Sequence, residues 1–541
     1  MLTTRPETDQ SDAFPVRWDD PADAGRSWNY DRMHAPDVMS PLGFDLFFGP
    51  FFEGFGAGRD AVYRAHLANY YVYHHVGAAD HTEQPATAAS AGAGPADLAS
   101  AGAYWRDEIL PEVQRLTDYY LETDFDAMSD AVLAAELEKL REVRIRQGTL
   151  HTIAMRPWGV AMNMLVDTYC QLTGGDELGA VRLIQGYGNK SVEAGRELWR
   201  LAQLASSIPA VGSRLADVTA DTALTTLDEI RQQSEATPFL ERLSEFLDGY
   251  GWRSDLFELS TPTWREDPTI PLCQLRAYME MERYDPDREQ ERLVRERDEA
   301  LAEALSDLAP RLGTALQRAV NTAAELAPVL EDHNFFIDQR LGLAPRRLLL
   351  AVGRRLVSRD LLDGASDVFY LYRTEVEAAL RSHGGDYRTL VKTRAEEMEL
   401  WSRKTPPATI GAPGESTIGQ QGRFFGFRRA GSDGPNTLTG NAASAGLGRG
   451  PARVIPSLAQ ADRLKQGDVL VARTTMPAWT PLFAVVSAIV VETGGILSHA
   501  AVTAREYGTP AVLGVENATR TIRDGQLLEV DGNRGTVRIL T

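Results

Sequence analysis

The sequence predicts a multidomain protein, with a large mainly α-helical unit followed by a small C-terminal α/β unit. A chain of 541 residues exceeds the roughly 250–300 residues at which a single hydrophobic core stops growing. Apolar residues recur at helical spacing from residue 104 to about residue 400. Beyond a Gly-, Pro- and Ser-rich stretch, short Val- and Ile-rich runs bounded by Gly and Pro are typical of strands. We therefore expect a helical unit over 1–403, a linker over 404–435 and an α/β unit over 436–541.

The composition narrows the class of protein. Hydrophobic residues make up 43% of the chain and charged residues 24%, as in ordinary globular proteins. The net charge of -20 argues against nucleic-acid binding, which depends on clustered Lys and Arg. No run approaches the ~18 apolar residues that a membrane helix needs, and no secretory signal is visible. The two cysteines, Cys170 and Cys273, are far apart and favour a reducing compartment. We expect a cytoplasmic protein without membrane or nucleic-acid partners.

The N-terminal part contains three informative stretches. In "FDLFFGPFFEGFG" (44–56) six phenylalanines predict a helix buried in the core, with the wall of an aromatic ligand pocket as the alternative. Residues 77–103 are rich in Ala, Gly and Ser and predict a flexible surface insertion. A long helix is expected after its cap Ser129, with Leu133 and Leu137 on its buried face.

One stretch near the C-terminus, "TGGILSHAAVTAREYG" (493–508), carries the strongest chemical signal. The run "AIVVE" predicts a strand, the Thr-Gly-Gly turn ends it, and a helix is expected to begin near His499. The N–H groups and the positive dipole end of a helix N-terminus stabilise an anion and favour neutral imidazole, which suits a phosphoryl group on the ring. The predicted phosphate-binding residues are Thr493, Gly494, Gly495, Ser498 and Arg505. The alternatives are a helix cap for Ser498 and a surface position for Arg505. The alternative is a histidine that only starts the helix.

A wider string resembles a known domain. Residues 490–515, "VVETGGILSHAAVTAREYGTPAVLGV", with the preceding "GDVLVARTTMPAWTPLF" and "GLGRGPARVI", resemble the swivelling phosphohistidine domain of the phosphoenolpyruvate-utilising enzymes, over roughly 436–541. The resemblance implies that His499 is phosphorylated and carries the phosphoryl group between two distant sites. Dikinases regulated by threonine phosphorylation carry threonine where this chain has Leu497, so that regulation is not expected.

The helical unit resembles the substrate-binding domain of the rifampin phosphotransferase type, through "FLDGYGWRSDLFELSTPTWREDP", "EDHNFFIDQRLGLAPRRLLLAVGRRLV" and "DLLDGASDVFYL". No ATP-grasp sequence, P-loop motif or pyruvate-barrel motif is visible. The resemblance therefore implies a separate ATP-grasp subunit that holds ATP and most of the Mg²⁺ ligands. Two-subunit aryl phosphate synthases divide the reaction in this way. The resemblance to these synthases implies transfer to a phenolic hydroxyl such as that of 4-methylphenol, with aryl phosphate, AMP and phosphate as products.

The acceptor step needs a base or a cation, because a phenol has a pKa of about 10. At "EDHNFF", Arg and Lys of the rifampin enzymes are replaced by Glu331 and Phe335. We therefore expect His333, oriented by Asp332, to deprotonate the acceptor; the alternative is a polar residue within a core turn.

Two arginines, Arg253 and Arg340, are the predicted substrate-binding cations, with structural ion pairing as the alternative. His74, His75 and His151 are expected to be structural. No metal ligands are predicted in this chain. The competing functions are a component of a rifampin-type antibiotic or natural-product phosphotransferase or ligase, and a phosphocarrier, which the large helical unit disfavours.

Overall fold

The computed structural model describes residues 14–56, 61–78, 94–254, 257–281, 284–382, 385–413, 434 and 436–540. It contains a large helical region and a C-terminal α/β sheet, as the sequence predicted. Among these residues no helix combines the length and apolar character that crossing a bilayer requires.

Helices make up most of the described chain. They are Pro41–Gly43 (α1), Gly49–Phe55 (α2), Ala101–Tyr104 (α3), Leu110–Glu122 (α4), Asp130–Thr173 (α5), Glu177–Arg182 (α6), Lys190–Ser207 (α7), Pro209–Leu215 (α8), Ala223–Arg231 (α9), Thr237–Tyr250 (α10), Thr269–Met279 (α11), Pro286–Ser306 (α12), Pro310–Leu326 (α13), Val329–His333 (α14), Arg346–Ser358 (α15), Arg373–Arg381 (α16), Arg388–Ser402 (α17), His499–Glu506 (α18) and Ala518–Thr521 (α19).

The strands form two sheets. They are Ser27–Tyr30 (β1), Ala61–Ala68 (β2), Tyr71–Ala78 (β3), Thr409–Gly411 (β4), Thr437–Thr439 (β5), Asn441–Ser444 (β6), Leu447–Val454 (β7), Val469–Ala472 (β8), Ala488–Val491 (β9), Ala511–Leu513 (β10), Leu527–Asp531 (β11) and Thr536–Ile539 (β12). The first four make one sheet in the order β2-β3-β1-β4, and the other eight make a second in the order β5-β12-β11-β7-β8-β9-β10-β6.

The described residues also include eight short helical segments of other types. Three are π-helical, Phe44–Phe48, Trp105–Ile109 and Asn334–Leu341. Five are 3-10 helices, Pro21–Gly25, Ser234–Ala236, Ala365–Tyr370, Leu458–Arg463 and Pro477–Ala484.

The 44-residue helix α5 is the longest described helix, and it packs against α2 and α13. Leu133 and Leu137 are buried as predicted, although the Ser129 side chain makes no capping hydrogen bond. The phenylalanine-rich segment packs against α5, which confirms its predicted burial in the core. Gly148 permits this packing, because a Cβ there would collide with the Phe51 carbonyl oxygen.

The small N-terminal sheet was not predicted, and its strands overlap two of the predicted ranges. β4 lies inside the predicted linker 404–435 and pairs with β1 through Trp28 and Ile410. The predicted insertion 77–103 begins within β3 and ends within α3. Composition does not reveal such pairing, because backbone groups from distant segments make it. The centre of the insertion, 79–93, and the linker residues 414–433 lie outside the described residues.

The C-terminal sheet has a parallel centre, since β7, β8, β9 and β10 pair side by side in parallel. All residues of β8, β9 and β10 are buried, which is typical of strands covered on both faces. Helix α18 follows β9 and so begins near the carboxyl edge of the sheet, where α/β folds commonly bind ligands.

The two units share one hydrophobic cluster. The segment Pro477–Ala484 of the C-terminal unit lies against α7, and its Trp479 and Phe483 belong to the same buried cluster as the helical core. At the rim, Arg473 Nη2 donates to Asp37 Oδ1 at 2.6 Å. The C-terminal unit is therefore docked on the helical unit.

Candidate active site

His499 is the first residue of α18, as predicted from the sequence. The Ser498 hydroxyl donates to Gly495 O at 2.8 Å and accepts from Ala501 N at 3.5 Å. Gly494 has a φ of +99°, and a Cβ there would lie 2.8 Å from Ser498 Oγ. The turn therefore requires glycine at this position, and Ser498 acts as the helix cap.

The imidazole of His499 contacts a glutamate of the helical unit. His499 Nδ1 lies 2.7 Å from Glu331 Oε1, and the Glu331 residue is 0% exposed. An Nδ1–H that donates to this carboxylate leaves the lone pair on Nε2. Nε2 is buried and has no hydrogen-bond partner among the described residues. The pairing therefore leaves Nε2 as the ring nitrogen with an available lone pair.

Arg253 is a buried arginine with the features of an anion-binding group. It is 0% exposed, and its three guanidinium nitrogens have no hydrogen-bond partner among the described residues. Its guanidinium lies 5.2 Å from the Trp264 ring centroid and 5.5 Å from that of Phe335. Burial lowers the pKa of Arg253 to about 10, and its attraction to Tyr250 and Glu331 opposes that effect. A buried guanidinium with free donors is suited to an incoming anion.

His333, the predicted acceptor base, does not face His499. It is 2% exposed, its Nδ1 lies 3.0 Å from Val329 O, and its Nε2 lies 3.4 Å from Asp338 Oδ2. Two residues along a helix correspond to a rotation of about 200°, so His333 and Glu331 occupy opposite faces of α14. Glu331, rather than His333, faces His499. Burial lowers the pKa of His333 to about 4.

The expected Asp332–His333 pair is not formed. Asp332 Oδ1 accepts from the backbone N–H of Lys190 at 2.9 Å, at the start of α7. Burial raises the pKa of Asp332 to about 6. Asp332 therefore joins two helices and does not orient the imidazole of His333.

The other predicted ligands divide between backbone and structural roles. Arg505 is buried, and its Nη1 donates to Ala443 O at 2.8 Å and to Ile496 O at 2.9 Å, so this predicted phosphate donor braces the loop instead. Thr493 Oγ1 donates to Arg473 O at 3.3 Å. Arg340 is half-buried, and its Nε has no hydrogen-bond partner among the described residues. Arg253 interacts electrostatically with Glu331, the carboxylate that contacts His499.

A second buried carboxylate, that of Glu506, makes a hydrogen bond between the two units. Glu506, the last residue of α18, accepts from Gly186 N at 2.8 Å, and Oε2 has no partner among the described residues. Burial raises the pKa of Glu506 to about 7, opposed by the Gly186 N–H and by Arg505. Neither Glu331, which the sequence marked only as a replacement, nor Glu506 was predicted as a site residue, because an acidic residue on a helix carries no signal until its packing partner is known.

Two stretches of the chain match known domain families. Residues 464–535 match the PEP-utilising enzyme, mobile domain. The C-terminal unit is similar to that mobile domain. Residues 151–331, from the middle of α5 to Glu331 in α14, match the rifampicin phosphotransferase fourth domain. The mobile-domain match includes His499, and the fourth-domain match includes Glu331 and Arg253.

Several curated proteins are similar to the chain. Chondramide synthase cmdD of Chondromyces crocatus is 34% identical over 566 residues, which cover 100% of this chain and 14% of that protein. The uncharacterized phosphotransferase YvkC of Bacillus subtilis (strain 168) is 31% identical over 79% of this chain and 51% of its own length. Rifampicin phosphotransferase of Streptomyces sp is 35% identical over 65% of this chain and 40% of its own length. The chain thus spans about half or less of these relatives.

Proposed function

We propose that this chain is a phosphotransferase component that carries a phosphoryl group on Nε2 of His499. The observation that carries the proposal is the His499–Glu331 contact, which holds Nδ1 at 2.7 Å and leaves a buried Nε2 that has no partner among the described residues. Similarity to a PEP-utilising mobile domain and to a rifampicin phosphotransferase domain supports it.

In the loading step, Nε2 attacks the β-phosphorus of ATP bound to an ATP-grasp unit outside these 541 residues, which we expect on a partner chain with Mg²⁺. An N–P bond forms as the bond between the β-phosphorus and the oxygen of the AMP leaving group breaks. Water then cleaves the remaining β–γ linkage, so that the products are phosphohistidine, AMP and phosphate. The mobile domain must leave its docked position for this step, because Nε2 is buried against the helical unit.

In the transfer step, the docked mobile domain presents the phosphoryl group to an acceptor hydroxyl. The acceptor oxygen bonds to phosphorus as the Nε2–P bond breaks, and the hydroxyl proton passes to a base. Glu331 Oε2, buried and unpartnered among the described residues, is positioned to take that proton. Arg253 neutralises the charge of the transferring group.

We propose a phenolic hydroxyl, such as that of 4-methylphenol, as the acceptor. The aromatic rings of Tyr250 and Phe335, whose centroids are 5.8 Å apart beside Arg253, suit an aryl group. A larger hydroxyl-bearing natural product is the second candidate, and the match of residues 151–331 to a rifampicin phosphotransferase domain favours it. A phosphocarrier without its own acceptor is the third.

The test combines the full chain with ATP, Mg²⁺ and an ATP-grasp protein encoded beside it. Intact mass, peptide mapping and AMP release follow the loading step, and phosphate ester formation is measured with 4-methylphenol and with larger phenols. We expect a gain of one phosphoryl group that maps to His499 and depends on the partner.

The matched control replaces His499 by asparagine, and His75→Asn reports the effect of losing a histidine elsewhere. Loading of the His499→Asn protein at another residue would refute the phosphohistidine mechanism. A loaded His499 that transfers to larger phenols alone would favour the second acceptor class, and one that transfers to no small hydroxyl compound would favour the carrier.

A further inference from the structure

A second cluster of polar side chains lies on the face of α14 opposite Glu331. His151 of α5, His333 at the end of α14 and Asp338 of the following π-helical segment each offer one ligand atom, and these atoms lie within 4.8 Å of one another. We propose that His151, His333 and Asp338 form a binding site for a divalent transition-metal ion, best matched by Zn²⁺. This inference does not depend on phosphoryl transfer by His499.

The distances within the cluster are close to those of a tetrahedral site. Zn²⁺ binds imidazole nitrogen and carboxylate oxygen at about 2.0–2.2 Å, so neighbouring ligand atoms of a tetrahedron lie roughly 3.3–3.6 Å apart. His333 Nε2 lies 3.4 Å from Asp338 Oδ2, and His151 Nδ1 lies 3.0 Å from Asp338 Oδ1. All ligand atoms of the cluster lie within 4.8 Å of one another, so side-chain movements of about 1 Å bring them to the spacing of a tetrahedral site.

The hydrogen bonding of His333 points to a cation at this position. Its Nδ1 lies 3.0 Å from Val329 O, so Nδ1 carries the hydrogen and the lone pair of the neutral ring is on Nε2. That lone pair faces the Asp338 carboxylate, in a place where His333 is 2% exposed. Two buried lone pairs repel each other unless a positive charge lies between them. A metal-binding histidine that donates its other N–H to a carbonyl is the usual arrangement around protein metals.

The ligand types select the metal. Two imidazoles and one carboxylate favour Zn²⁺, Co²⁺ or Fe²⁺ over Mg²⁺ and Ca²⁺, which prefer oxygen. The side chain of His151 is 21% exposed, whereas those of His333 and Asp338 are buried. A water molecule or an oxygen of a bound ligand can reach the fourth position from that side. The Phe55 ring, whose centroid is 4.9 Å from that of His151, shields another side.

The three ligand residues are not all close together in the sequence. His151 is 187 residues from Asp338, so no short metal-binding motif exists. The ion would join α5 to the segment after α14. Because the unfolded chain does not bring these residues together, metal binding should stabilise the fold.

The experiment measures metal binding by the untagged full chain. After treatment with a chelator, the protein is titrated with Zn²⁺ against a chromophoric competitor, and with Co²⁺ followed by visible absorption. We expect one ion per chain, intense d–d bands typical of four-coordinate Co²⁺, and a higher unfolding temperature with Zn²⁺.

Three variants make the assignment specific. His151→Gln and Asp338→Asn should each weaken binding about tenfold or more. His75→Gln should bind normally, because His75 lies on β3 with its Nδ1 2.9 Å from Ser27 O. Circular dichroism establishes that each variant is folded, and the Co²⁺ spectrum of the unaltered protein tests the site without any variant. Absence of stoichiometric binding by the unaltered protein, or full affinity in both cluster variants, would overturn the proposal.

Discussion

Replacing Arg253 by methionine should stabilise the fold and impair phosphoryl transfer. Methionine is close to arginine in length and has no charge to bury. Arg253 is 0% exposed with three nitrogens that lack partners among the described residues, so its removal breaks no described hydrogen bond of the guanidinium. A buried charge held for an anion costs stability until that anion is bound.

The magnitude follows from the pKa of Arg253. Burial lowers this pKa from 12.5 to about 10, which at about 1.4 kcal/mol per pH unit corresponds to a cost of about 3 kcal/mol. The rings of Trp264 and Phe335 return roughly 1–2 kcal/mol through cation–π attraction. We therefore expect Arg253→Met to raise the free energy of unfolding by about 1–2 kcal/mol, the difference between these two effects.

The assay is urea unfolding of the full chain without phosphate, together with transfer from phosphorylated His499. Arg144→Met is the matched control, because Arg144 is equally buried but donates to Leu46 O at 2.9 Å, Gln147 Oε1 at 2.7 Å and Gly342 O at 2.6 Å. Its loss leaves buried acceptors unpaired and should cost about 3–5 kcal/mol.

Transfer should fall about a hundredfold or more in Arg253→Met, because a preorganised donor at the transferring group is lost. Destabilisation of Arg253→Met by as much as Arg144→Met, with transfer unchanged, would refute the assignment of Arg253 to an anion.

Three further predictions concern the C-terminal unit and its contacts. Glu331→Gln should slow transfer from phosphorylated His499 by about a hundredfold or more, since the amide cannot take the acceptor proton and holds Nδ1–H less strongly; single-turnover kinetics measure this, and an unchanged rate would exclude both roles of Glu331. For Glu506, burial raises the pKa from 4.5 to about 7, so the docked state favours its protonated form: docking should be strongest below about pH 4.5 and weaken by up to about 3 kcal/mol as the pH rises to 7. Fluorescence energy transfer between the two units measures docking, and Glu506→Gln should remove this pH dependence; a slope retained in the variant would assign it to another group. Gly494→Ala should destabilise the mobile domain by about 1–3 kcal/mol, because φ is +99° and the new Cβ meets Ser498 Oγ; thermal unfolding measures the loss, and an equal melting temperature would contradict this account of the turn.

The local features of this protein could be predicted from its sequence because adjacent residues produce them. The strand, glycine turn and helix around His499 follow from β-branched residues, a glycine pair and a capping serine next to one another. Burial of the phenylalanine-rich segment likewise follows from apolar side chains that water disfavours. β1 and β4 were not predicted, because their pairing joins Trp28 to the distant Ile410 and the local sequence of a strand does not indicate which segment it pairs with.

The chemistry around His499 was decided by the tertiary structure. Glu331 and His499 are 168 residues apart, and only docking of the two units brings them within 2.7 Å. Sequence alone selected His333 from the same short helix, but rotation of α14 in its packing turns His333 toward Asp338 and Glu331 toward His499. Composition and spacing establish which groups a chain carries, whereas the direction of a side chain, its burial and its partner depend on how distant segments pack.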